Sequence, residues 1–194
     1  MGTASIADRR SRRLDQILAA AWDIATESGL GAVTLHEVAR RVGMKQPSLY
    51  GYLSSKLDLY DAMFSQAYEQ LLSRLDAAAP RGTAREQLLS LSRIVLDFAV
   101  ENLPRQQLLF QRTIPGFVPS PASYALAQRL VDRSLGLLSA LGADSPAQVD
   151  VYTALIAGLV SQQVANDPGG DRWTKHLEAV LDMFLDHFIP EELT

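Results

Sequence analysis

The residues with the most chemistry to offer lie close together, between Thr34 and Lys56. Lys45, Gln46, Pro47, Ser48, Tyr50, Tyr52 and Lys56 bring cations, an amide and hydroxyls into one short stretch. Glutamine hydrogen-bonds base edges, adenine in particular, whereas tyrosine hydroxyls and lysines suit phosphate oxygens. Just upstream, Thr34-Leu35-His36-Glu37 places a hydroxyl and a carboxylate at capping-box spacing. That box starts a helix with Leu35, Val38, Ala39 and Val42 on its inner side. Gly43 supplies a sharp turn, and Leu49 anchors a second short helix over Lys45–Leu53. Lys45, Gln46, Ser48 and Tyr50 are then left facing outward. Two short helices joined by a tight glycine turn make a helix-turn-helix, whose second helix fits the DNA major groove. The same residues also fit a plain helical corner with capped ends, so both readings stand on the pattern alone.

Catalytic patterns are missing. The chain has no cysteine, so thiolate nucleophiles, thiolate metal sites and disulfides are excluded together. His36, His176 and His187 are scattered and form no metal-ligand spacing. Gly169-Gly170 reads as a turn between helices, not as a phosphate loop, and no carboxylate pair has catalytic spacing. No cofactor and no metal are expected, and the chain is expected not to be an enzyme. A small helical enzyme is the weaker rival. A helical dimeric interaction protein, or a ligand-binding module without DNA-dependent repression, is the other.

The 194 residues are 47% hydrophobic and carry a formal charge of −4, which suits an ordinary folded chain. The acidity is uneven. Up to Lys56 there are eight basic against five acidic residues, and beyond it ten against seventeen. A basic head on an acidic body suggests that the head meets a polyanion. No secretory signal is expected at the start. The longest charge-free stretch, Val151–Asn166, is too short and too polar for a membrane span and reads as a buried helix.

Helical periodicity runs through most of the chain. Helices are expected over Asp8–Ser28, Thr34–Val42, Lys45–Leu53, Ser55–Ala79, Thr83–Asn102, Leu103–Thr113, Ala122–Leu141, Pro146–Asn166 and Asp171–Phe188. Pro80-Arg81-Gly82 reads as a turn and Ile114–Pro121 as a loop. The run Arg9–Arg13, with Arg12 and Arg13, reads as an arm before the first helix that reaches phosphates or the minor groove.

Asp15–Asp61 resembles the DNA-binding region of the tetracycline-repressor (TetR) family. The likeness rests on Ile17-Leu18-Ala19-Ala20-Ala21, on Glu27-Ser28-Gly29-Leu30 with Thr34-Leu35, and on Val38-Ala39 with Val42-Gly43-Met44. It continues through Ser48-Leu49-Tyr50-Gly51-Tyr52-Leu53-Ser54-Ser55-Lys56, which resembles the family's Leu-Tyr-x-Tyr-Phe-x-Ser-Lys segment. Two positions depart from the pattern. Lys45 stands where the family has a small hydroxyl residue, so the second helix loses its side-chain N-cap. Leu53 replaces the usual aromatic.

The resemblance implies an all-α fold with an N-terminal three-helix DNA-binding domain containing the helix-turn-helix. A C-terminal helical-bundle domain for ligand binding and dimerisation follows. The boundary is drawn at 1–56 and 57–194. The implied partners are double-stranded DNA with a palindromic operator, a second copy of the chain as homodimer, and an unknown small-molecule effector, with no membrane. The implied protein is a cytoplasmic homodimeric repressor released from its operator by that effector. Thr34, Lys45, Gln46, Pro47, Ser48, Tyr50, Tyr52 and Lys56, with Arg12 and Arg13, are the expected DNA-facing residues.

Small residues in the Pro146–Asn166 helix (Ala154, Ala157, Gly158, Ser161, Ala165) and large ones in the last helix (Leu177, Leu181, Phe184) are the candidate dimer surface. Phe98, Phe110, Phe117, Tyr124, Gln128, Tyr152, Gln162 and Gln163 are candidate pocket residues, chosen as apolar and aromatic groups with a few amides.

Overall fold

A computed structural model describes residues 5–78 and 81–189. The regular structure of the described residues is all helical, with no strand. The helices are α1 (Ile6–Ser28), α2 (Leu35–Arg41), α3 (Gln46–Leu49), α4 (Lys56–Ala77), α5 (Ala84–Val100), α6 (Leu103–Phe110), α7 (Pro121–Ala140), α8 (Pro146–Asn166) and α9 (Leu177–Phe188). Short 3-10 turns occupy Leu30–Ala32 and Thr174–His176. Among the described residues no helix is long and apolar enough to cross a membrane. Pro80, expected in a turn, and Ala79, the expected end of the fourth helix, lie outside the described residues.

Local chemistry explains most of the helix starts. Ser5, Thr83 and Ser145 are extended N-cap residues with complete capping boxes, closed by Asp8, Glu86 and Gln148. Pro146 follows its cap in the first turn, where its missing N–H costs nothing. Helix α1 stops at Gly29, whose φ of 82° is open only to a residue without a side chain.

The chain divides into two compact units. The first comprises residues 1–67 and 104–124. Its α1 packs on the first 3-10 turn and on α2, and α2 packs on α3. Ile17, Ala21, Val33, Val38, Leu49, Leu59 and Met63 are sealed from solvent. The Trp22 indole donates to Gln66 Oε1 at 2.9 Å and the buried Tyr60 hydroxyl to the Leu30 carbonyl at 2.6 Å, tying α1 and the 3-10 turn to α4. Asp61 makes a further knot. It accepts from the Ser120 amide and the Ser123 hydroxyl, each at 2.8 Å, and so fixes the start of α7 against α4.

The second unit comprises residues 68–103 and 125–194. Helices α5, α8 and α9 pack on one another. One core cluster gathers Leu88, Leu138, Tyr152, Leu181, Phe184 and Leu185, and another Leu96, Ala99, Leu159, Val160 and Leu177. The last helix starts later than its pattern implied, because Gln163 Oε1 accepts the Trp173 amide at 2.8 Å and holds residues 171–176 in a turn. Helix α8 is buried on one side only. Tyr152, Leu159, Val160 and Gln163 face the core, whereas Ala154, Ala157, Gly158, Ser161 and Ala165 are exposed.

Candidate nucleic-acid interface

The interface is assembled by α2 and α3. Thr34 caps α2 by accepting the Glu37 amide at 3.2 Å. The box expected there is only half closed. Glu37 turns its carboxylate to Arg40, at 2.6 and 2.9 Å, and to Arg41 at 3.6 Å. The Arg40 hydrogen bonds hold Glu37 below the usual carboxylate range. Arg41 also pairs with Glu27, so two cations of α2 are already matched by carboxylates. The turn itself needs Gly43, whose φ is 64°.

Helix α3 covers only Gln46–Leu49, and residues 50–52 continue as a turn rather than as helix. Leu49 has no exposed surface and pins the helix to the core. Lys45, Pro47, Ser48 and Tyr50 face solvent, with Tyr50 half exposed. Gln46 is half-buried, and its amide donates to the Tyr50 hydroxyl at 3.3 Å. Lys45 is extended, at φ −71° and ψ 139°, and provides no side-chain cap. It makes no ion pair among the described residues, so its charge is available to a polyanion.

The basic run at Arg9–Arg13 is not an arm. It lies within α1. The Arg10 guanidinium donates to the Gly51 carbonyl at 2.8 Å, just past α3, and lies 4.9 Å from the centre of the Tyr52 ring. Arg13 donates to the Val42 carbonyl at 3.3 Å, at the C-terminal end of α2. Each helix of the pair thus meets an arginine at or just beyond its carbonyl end, where a cation is favoured. Arg12 donates to the Asp8 carbonyl of its own helix and remains exposed. The sequence offered Arg10 only as part of the Arg9–Arg13 run. Its role emerges only once α1 is placed beside the turn.

Lys56 is also partly engaged by the fold. Its ammonium donates to the Gly31 carbonyl at 3.1 Å and lies 5.4 Å from the Tyr60 ring centre. At the start of α4, Asp58 accepts from the Ser54 amide at 3.1 Å and from its hydroxyl, and the Asp58 amide donates to Ser55 at 3.0 Å. Those hydrogen bonds, from Ser54 first and Ser55 second, pull the Asp58 pKa down.

The candidate pocket residues are not brought together. Phe98 and Tyr152 are core residues, with Arg74 over the Phe98 ring and Ser92 hydrogen-bonded to the Tyr152 hydroxyl at 2.7 Å. Gln163 is buried as the clasp of its turn. Phe117 packs edge-on against Tyr60 and Phe64 in the first unit. Phe110, Tyr124, Gln128 and Gln162 are exposed. The second unit instead holds a cavity of about 580 Å³, walled by Leu75, Leu91, Ile94 and Leu137 with Arg81, Asp132 and the ion-paired Arg133 and Asp76. None of the eight residues lines it. Of the candidate dimer residues, Leu177, Leu181 and Phe184 are spent on the protomer's own core, at 0%, 1% and 3% exposure. The five small residues of α8 are exposed.

An all-helical fold with a capped, glycine-turned helix pair presenting one polar face defines a helix-turn-helix protein. Residues 17–63 match the model of the bacterial regulatory proteins of the tetR family. It is 31% identical over 103 residues to the HTH-type transcriptional activator FasR of Mycolicibacterium smegmatis, covering 53% of this chain and 47% of that one. It is 31% identical over 125 residues to the HTH-type transcriptional repressor KstR of the same organism, covering 64% and 58%. The chain thus spans about half the length of the curated relatives it matches. In fold it resembles the Bacillus subtilis transcriptional regulator FadR, solved in complex with stearoyl-CoA. The TM-score is 0.62 at 17% identity, over 91% of this chain and 98% of that one.

Proposed function

We propose that this protein is a cytoplasmic, homodimeric, sequence-specific regulator of transcription, acting as a repressor that a small molecule releases from a palindromic operator. The observation that carries the reading is α3. Leu49 anchors it, two arginines of α1 brace the helix pair, and Lys45, Pro47, Ser48 and Tyr50 face outward beside Gln46. In the major groove Gln46 reads a base edge, while Lys45, Tyr50, Tyr52 and Lys56 take phosphates. Thr34 acts through the α2 cap that it forms.

Dimerisation is assigned to the exposed small-residue face of α8, where Gly158 has open space around it and a second helix can approach closely. Val151 of α8 and the strongly exposed Met183 of α9 are further apolar residues in solvent. The effector is assigned to the 580 Å³ cavity, whose apolar walls suit a largely apolar molecule, its two arginines being balanced by Asp132 and by Asp76, which pairs with Arg133.

The test is a selection of bound sequences with variants. Gln46→Ala changes which sequence is preferred, whereas Tyr50→Phe and Lys56→Ala weaken all sequences alike. The role assignment fails if Gln46→Ala leaves the preference untouched and Lys56→Ala alters it.

A further inference from the structure

The first unit contains a second, smaller cavity of about 310 Å³. Its walls come from the 3-10 turn after α1, from the first two turns of α4, and from α6 with the segment that follows it. Lys56 is the one charged residue on those walls. Its ammonium has three donors, and one is used, on the Gly31 carbonyl. The Tyr60 ring faces the ammonium, and no carboxylate among the described residues pairs with it. A half-buried cation without a counter-ion lacks part of the solvation it had in water, and an oxyanion arriving at the cavity restores it. Gln107 and Thr113 bring an amide and a hydroxyl to the same wall, and both can donate to such an anion. Leu57 and Ile114 make the remainder apolar.

From this juxtaposition we propose that the cavity binds a small apolar carboxylate, whose oxygens take Lys56 and whose body lies against Leu57 and Ile114. The carboxylate and DNA then compete for one ammonium, so occupancy weakens DNA binding from within the DNA-binding unit. The site differs from the 580 Å³ cavity in the other unit, and no residue lines both. The competition, unlike the binding itself, rests on the reading of Lys56 as a phosphate contact.

The test uses the full chain with methyl-labelled leucine and isoleucine, titrated with benzoate and separately with its uncharged isostere benzamide. Benzoate is expected to shift the Leu57 and Ile114 methyls saturably, with a Kd of about millimolar order for so small a ligand. Benzamide should bind at least about tenfold more weakly, as should benzoate to Lys56→Met, since either change removes the charge-assisted bond. Gln107→Leu, which leaves the ammonium in place, should weaken benzoate several-fold.

On a mixed-sequence duplex at low salt, saturating benzoate should lower the affinity of the wild type. It should also lower the slope of log K against log salt by about 0.9, and leave both unchanged in Lys56→Met. Absence of saturable shifts at Leu57 and Ile114, or equal binding of benzoate and benzamide, overturns the site. Benzoate binding that leaves DNA affinity unchanged overturns the competition. A protein that binds no duplex at all refutes the regulator reading by itself, and the methyl titration still decides the site.

Discussion

Lys45→Ser separates two roles that the wild-type residue combines. Lys45 occupies the N-cap of α3 in the conformation that Ser5, Thr83 and Ser145 adopt at their own caps. Its ψ is 139°, against 162°, 163° and 147°. Only a hydroxyl is lacking, and the substitution supplies one. A full side-chain cap contributes about 0.5–2 kcal/mol. Here the gain falls at the low end, about 0.5–1 kcal/mol, for two reasons drawn from the geometry. Pro47 has no N–H to satisfy, and the Ser48 amide already donates to the Lys45 carbonyl at 2.9 Å. The same substitution deletes a solvent-facing cation that makes no ion pair among the described residues. Stability should therefore rise while DNA affinity falls, with the slope of log K against log salt smaller by about 0.9. Chemical denaturation reads the first effect and fluorescence anisotropy on a duplex across a salt series the second. A variant no more stable than wild type would show that Leu49 packing and the Gly43 turn alone set α3. An unchanged salt slope would remove Lys45 from the interface.

Tyr60→Phe should destabilise the protein by about 0.5–1.5 kcal/mol, because it removes the buried hydrogen bond at 2.6 Å to the Leu30 carbonyl, which keeps the Val33 amide as a donor at 3.1 Å. An unchanged denaturation midpoint would mean that water replaces the hydroxyl. Asp58 has a folded-state pKa below its ordinary value, so its contribution is complete above the ordinary carboxylate range and is lost as pH falls through the folded value. Asp58→Asn should therefore lower stability near neutral pH and flatten its decline in acid, and a denaturation series that still ran parallel to wild type would contradict this.

How much of this was legible beforehand varied with the kind of interaction. Helix ends set by neighbours in sequence were readable: the helices expected to start at Pro146 and to end at Ser28 do so, at the Ser145 cap and at Gly29. In α4, Leu59, Met63, Tyr68, Leu71, Leu72 and Leu75 recur at helical spacing and are all buried. Helical period shows which side is buried but not against what. Leu177, Leu181 and Phe184 accordingly read as a surface for a second copy and turned out to be the protomer's own core. Composition has the same blindness for cavities, since the aromatic residues chosen as pocket walls were taken up by packing or left in solvent. Charge runs conceal direction. Arg10 and Arg13 looked like an arm until their guanidinium groups were seen to meet carbonyls of the helix pair, contacts separated by 41 and 29 residues in sequence. Lys56 followed the same rule, held by a carbonyl 25 residues away.

The central claim is sequence-specific recognition by a two-fold-symmetric dimer through α3. The most direct measurement incubates the purified protein with sheared genomic DNA from its source at moderate salt and sequences what is retained. The account predicts one enriched motif with two-fold symmetry, its half-sites about one helical turn apart or a multiple of that spacing. Retention with no enriched motif, or with a motif lacking that symmetry, would contradict it.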